Sequence, residues 1–191
     1  MKAASANFKT TTEDYIDAYA EMISQKHKEG WRLYLFGFLF RPLPGTPEHR
    51  LATMEKELMR IYAAMVTRIV RRPRSLSAQK DMPRWIAFPD FPVPKNSKKD
   101  DIVDLIPNDG LHMHAIVAIP PTSRTPNILR HIRQYQWLYL GKHRQLAKIT
   151  AKRIRRTPKT AARYVLKSLS RRRWGEGLVL LLPRSVSELS D

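Results

Sequence analysis

Gly110-Leu111-His112-Met113-His114-Ala115-Ile116-Val117-Ala118-Ile119 reads as a β-strand. Side chains alternate across a strand. Leu111, Met113, Ala115, Val117 and Ile119 therefore share one face, an unbroken apolar set that has to meet a core. His112, His114 and Ile116 share the other. Two imidazoles at i, i+2 stand side by side there, an arrangement suited to two ligands on one divalent metal. The same pair also reads as two surface histidines on a half-exposed strand. Asn108-Asp109-Gly110 just upstream supplies turn residues that tolerate positive φ.

Outward from this strand, residues 102–106 read as a short strand that the turn at 107–110 folds into a hairpin with it. Residues 84–88 (RWIAF) form another short strand. The intervening 89–99, with three prolines and three lysines, read as an irregular loop. Further upstream, 32–40 (RLYLFGFLF) is apolar on both faces, so both faces have to be covered and the strand is central. Thr46-Pro47-Glu48 opens a helix with an N-cap, a proline at the first position and an acid in the first turn. Leu51, Met54, Leu58, Ile61, Tyr62, Met65 and Ile69 give it one apolar stripe, and it ends before Pro73. Residues 73–83 read as a basic linker. Residues 12–28 read as a helix with Thr12 as N-cap, an extension packed on the domain.

Downstream, Thr125-Pro126 opens a second helix that ends near Gly141. Residues 147–154 alternate weakly and read as an edge strand whose charges blunt the edge. Thr157-Pro158 opens a third helix through about Arg172, and 178–182 form a final strand or packing tail. The order is that of an α+β fold: a ferredoxin- or RRM-like antiparallel sheet of about five strands, with flanking helices and an N-terminal helical extension. The expected division is an extension at 1–30, the main domain at 31–182 and a loose tail at 183–191.

Composition narrows the partners. Thirty-five Lys and Arg face seventeen Asp and Glu, a formal net charge of +18. Such an excess repels itself unless a polyanion is the usual partner, and nucleic acid fits better than a membrane. Clusters at 68–72, at 152–156 and at 171–173 are placed to contact phosphates without reading sequence. Cysteine is absent, which excludes disulfides and thiolate metal sites. No apolar run is long enough to span a bilayer, so a cytoplasmic protein is expected.

On the third helix Ala162, Val165, Leu166 and Leu169 form the core stripe, while Tyr164 and Lys167 lie at i, i+3 on roughly the opposite side. Tyr164 is therefore not placed as a core aromatic of its own helix. A tyrosine hydroxyl, with an ordinary pKa near 10, is a poor nucleophile until activated. It can attack a phosphodiester whose non-bridging oxygens are held by a metal, and a nearby lysine can stabilise the phosphate or help with the proton.

Gly110-Leu111-His112-Met113-His114-Ala115-Ile116-Val117 resembles the HUH motif, two histidines one residue apart with hydrophobic flanks. Tyr164-Val165-Leu166-Lys167 resembles the Tyr-x-x-Lys motif of single-tyrosine replication initiators. Over roughly residues 31–172 the chain is thus similar to the HUH endonucleases: rolling-circle initiators, relaxases and related transposases. The resemblance implies a ferredoxin-like five-stranded sheet, a Mg²⁺ or Mn²⁺ site and site-specific nicking and rejoining of single-stranded DNA through a covalent 5′-phosphotyrosine. Tyr164 would be the nucleophile, Lys167 its assistant, and His112 and His114 metal ligands. The third ligand in such initiators is commonly an acid from the strand before the histidines; Asp104 fills that place, with Asp90 as runner-up. Arg153, Arg155, Arg156, Arg163, Arg171, Arg172 and Arg173 would contact the DNA. The implied setting is prokaryotic, with the protein acting on an origin hairpin or nick site of a plasmid or phage, or in transposition. A host helicase and polymerase are the further partners it implies. The alternative is a non-catalytic basic DNA- or RNA-binding module on the same fold, in which strand aromatics stack bases.

Overall fold

The computed structural model describes residues 11–90, 107–166, 169 and 178–184. Five strands form one antiparallel sheet: β1 (Arg32–Phe40), β2 (Arg84–Asp90), β3 (His112–Ile119), β4 (Leu146–Ile154) and β5 (Leu180–Leu182), in the order β4-β1-β3-β2-β5. Among the described residues, helices α1 (Thr12–Lys28), α2 (Pro47–Ile69), α3 (Ile128–Gln134) and α4 (Pro158–Val165) flank it. The β1-α2-β2 and β3-α3-β4 crossovers interleave, so the first four strands follow the ferredoxin-like order expected.

The doubly apolar reading of β1 has its explanation in two cores. Tyr34, Phe36, Phe38 and Phe40 join Met113, Ala115 and Val117 of β3 beneath α2 and α3. Trp85 anchors this side, its ring 5.8 Å from Phe38 and 5.4 Å from Tyr62. On the opposite face, Leu33, Ile86, Phe88, Ile116 and Ala118 meet Ile16, Ala20 and Ile23 of α1 and Ala162 and Val165 of α4. Truncating a fully buried aromatic such as Phe36 would remove about 3–5 kcal/mol. Among the described residues, the second core covers one end of its face, and His112 and His114 stand partly exposed at the other.

Several boundaries differ from expectation for local reasons. Thr11, not Thr12, caps α1: its hydroxyl accepts from the Asp14 amide, and the Asp14 carboxylate accepts from the Thr11 amide, a reciprocal capping box. Asn127, not Thr125, caps α3 by accepting from the Arg130 amide at 3.0 Å. That helix stops at Gln134, and a separate single turn, Gln136–Leu138, follows before Gly141. The basic linker holds a short helical turn at Leu76–Asp81. The strand expected at 84–88 runs on to Asp90.

The hairpin expected between 102–106 and the histidine strand is corrected. Along its length β3 is bonded to β1 on one side and β2 on the other. Both edges are occupied, and the antiparallel neighbour upstream is β2; residues 102–106 lie outside the described ones. No helix among the described residues is long and apolar enough to cross a membrane.

Candidate metal centre

The ladder places the site. Gly37 of β1 and Phe88 of β2 flank His114, and Asp90 is the cross-strand partner of His112. Strand alternation then puts the side chains of Asp90, His112 and His114 on the same face, the one that α1 and α4 cover only in part. The turn before β3 carries positive φ at Asn108, Asp109 and Gly110. The buried Asn108 side chain fastens that turn to the exit of β1, accepting from the Leu43 amide at 2.8 Å and donating to the Arg41 carbonyl at 3.0 Å.

Each imidazole is oriented through its Nδ1. His112 Nδ1 lies 2.8 Å from the Gly110 carbonyl and His114 Nδ1 lies 3.4 Å from the Phe36 carbonyl. A carbonyl only accepts, so an Nδ1 bonded to one is the donor, and each ring is held with its Nε2 turned toward the site. Those two Nε2 atoms face each other at 3.0 Å. Asp90 Oδ2 lies 3.9 Å from His112 Nε2 and 3.7 Å from His114 Nε2. Two imidazole nitrogens that converge beside a carboxylate 1% exposed are placed to share one cation. Among the described residues, Asp90, His112 and His114 form a group that could hold a metal ion. Two imidazoles and one carboxylate are a donor set for a divalent first-row ion, and carbonyls behind the rings are the outer-shell support such ligands use.

Tyr164 projects from α4 toward this group. It is 45% exposed, and its ring sits edge-on to His114 with centroids 5.7 Å apart. A cavity of about 320 Å³ lies against both imidazoles, walled by Leu39, Phe40, Pro107, Leu111 and Thr150 and floored by Gly37.

The structure thus brings together His112, His114, Tyr164 and Asp90 of the residues expected at a site. Asp104 and Lys167 lie outside the described residues, as do Arg171, Arg172 and Arg173. Arg153, Arg155 and Arg156 are exposed at the end of β4 and just beyond it. Arg163 is engaged within the fold. It donates to Asp17 and lies 3.7 Å from Glu13, both on α1. A phosphate contact by Arg163 would have to displace these acids.

Gly37 and Thr150 were missed. A Cβ on Gly37 would stand 2.7 Å from Thr150 Oγ1 and 3.5 Å from the His114 ring. The lone glycine in an otherwise bulky central strand was the available signal, since such a glycine often marks a close approach.

No family model, curated protein or solved structure matches the chain.

Proposed function

We propose that the chain is a single-tyrosine, metal-dependent nickase and strand transferase of the HUH type, acting on single-stranded DNA. The observation that carries the reading is the approach of the Tyr164 ring to His114, beside a group of two imidazoles and a carboxylate that could hold a metal. A half-exposed hydroxyl-bearing side chain next to a candidate cation site, in a chain of net charge +18, suits attack on a polyanion.

His112, His114 and Asp90 would hold Mg²⁺ or Mn²⁺, and the two nitrogen donors favour Mn²⁺, since Mg²⁺ is bound chiefly by oxygen. When bound, the ion neutralises charge on the non-bridging oxygens of the scissile phosphate. The Tyr164 hydroxyl oxygen attacks phosphorus in line and the P–O3′ bond breaks. The 5′-phosphate stays on the tyrosine, and the departing oxygen takes a proton to become a free 3′-hydroxyl. The tyrosine proton leaves to solvent, while Lys167, the partner that the family resemblance supplies, would stabilise the phosphate or the phenolate with its ammonium. Attack of a 3′-hydroxyl on the phosphotyrosine reverses the reaction and rejoins a strand. Rolling-circle initiation on a plasmid or phage is the setting this chemistry serves best, with transposition the other.

The test is covalent capture. Wild type and Tyr164→Phe are incubated with a pool of labelled single-stranded DNA, with Mn²⁺ or with EDTA, and run on a denaturing protein gel. Label that travels with wild type only, and only with metal, is the expected result. Tight DNA binding with no adduct and no bound metal would overturn the enzymatic reading and leave a binding module.

A further inference from the structure

A second charged cavity, of about 390 Å³, lies between the end of α2, the turn at Leu76–Asp81 and the loop after β3. It sits at the end of β3 opposite the histidines. That strand spans 8 residues, so at about 3.3 Å per residue the cavity and the metal centre lie roughly 20 Å or more apart.

Arg71 and Arg72, just past α2, line this cavity together with Arg124, Ser77 and Thr122. The one acid in the lining, Asp81, accepts the Thr122 hydroxyl at 2.8 Å. Among the described residues none of the three arginines has an ion pair. Three guanidinium groups around one concavity repel each other and focus a positive potential into it. Their forked donors match the oxygens of a phosphate.

The walls do not depend on those side chains. The Arg124 amide donates to the Ile69 carbonyl at 3.0 Å, and the Thr125 hydroxyl donates to the Arg68 carbonyl at 3.0 Å. The Ser75 amide donates to the Arg72 carbonyl at 3.0 Å. The first two bonds fasten the loop after β3 to the end of α2, and the Thr122–Asp81 bond ties that loop to the Leu76–Asp81 turn, so the concavity persists when the guanidinium groups are removed.

We infer that this cavity is a phosphate-binding site remote from the metal centre, taking phosphodiester groups of a nucleic-acid strand or a free oligophosphate. It does not depend on any chemistry at Tyr164. For a long strand it supplies a second anchor, so that one molecule of DNA touches both ends of the sheet.

The test compares wild type with the triple variant Arg71→Gln, Arg72→Gln, Arg124→Gln. A second triple variant, Lys56→Gln, Arg133→Gln, Lys142→Gln, removes the same charge from exposed positions elsewhere. Binding of a fluorescent single-stranded oligonucleotide is followed by anisotropy over a range of salt, and binding of inorganic triphosphate by calorimetry. A strand in the cavity predicts a salt slope shallower by about 2 for the site variant alone, about 0.7 for each lost contact. Loss of triphosphate binding by the site variant with an unchanged DNA slope identifies the free anion as the ligand. If both are unchanged, or if the two triple variants behave alike, the site is refuted. Neither readout involves cleavage, so a failed adduct assay leaves this result standing.

Discussion

Asp90 and His112 are paired residues of the antiparallel β2–β3 ladder, and this register sets a buried carboxylate beside two imidazoles. Asp90→Asn keeps the shape and removes the charge. Titration with Mn²⁺ should show affinity falling by more than the 10–100-fold (about) that loss of an outer-shell partner typically causes. In wild type, Mn²⁺ at about 100 times its Kd should stabilise the fold by about 2.7 kcal/mol, and the Asn variant should lose that thermal shift. An Asn variant stabilised by Mn²⁺ as much as wild type would refute the assignment of Asp90.

That pairing also explains what could be read without coordinates. The apolar faces of β1 and β3, the stripe and cap of α2, and the blunted edge strand β4 are all carried by residues near one another in the chain. So are His112 and His114, and strand alternation alone puts them on one face. Asp90 is different, because its place depends on which strand lies beside β3. Proximity in sequence favoured Asp104, and only the ladder brings residues 90 and 112 together. The ion pairs of Arg163 were hidden for the same reason, since their acids lie on a helix about 150 positions upstream, at Glu13 and Asp17. Long-range register and helix docking, rather than local periodicity, decide these details.

Gly37 keeps open the gap between Thr150 and His114. An alanine Cβ would stand 2.7 Å from Thr150 Oγ1, so the threonine side chain has to turn away or the two strands have to part. Gly37→Ala should destabilise the protein by about 1–3 kcal/mol, as overpacking in a core does. Adding Thr150→Ala should recover most of it, giving a strong coupling in a double-mutant cycle read by urea denaturation. Additive losses would show that the clash is relieved elsewhere.

Arg163 ties the helix that carries Tyr164 to α1 through Asp17 and Glu13, and Lys159 reaches Glu21 alongside at 2.5 Å. These groups are half exposed, so salt screens them. Arg163→Ala should therefore lower the melting temperature at low salt and have little effect at high salt, with DNA affinity unchanged. Reversing the pair, Arg163→Asp with Asp17→Arg, should restore the low-salt value. The opposite pattern, with thermal stability unchanged and the DNA salt slope shallower by about 0.7, would make Arg163 a phosphate contact instead.

His131 gives the fold its own pH dependence away from the metal centre. The ring is 6% exposed on α3 and shares a 2.8 Å hydrogen bond with the Tyr139 hydroxyl. Burial, helped by the nearby Arg68 charge, pushes its pKa below the ordinary 6.5, while burial pushes the Tyr139 phenol up to about 12. A depressed histidine pKa means that the unfolded chain binds a proton more readily than the folded one. The stability this neutral ring contributes is therefore complete above the unfolded value of about 6.5 and declines as pH falls below it, until the folded ring is itself protonated. His131→Gln removes the titration while keeping a polar group for Tyr139. Urea midpoints in EDTA, which removes metal linkage from the comparison, should fall more steeply for wild type than for the variant between about pH 7 and pH 5. Parallel profiles would mean that another group carries the acid sensitivity and that His131 pays no penalty for its burial.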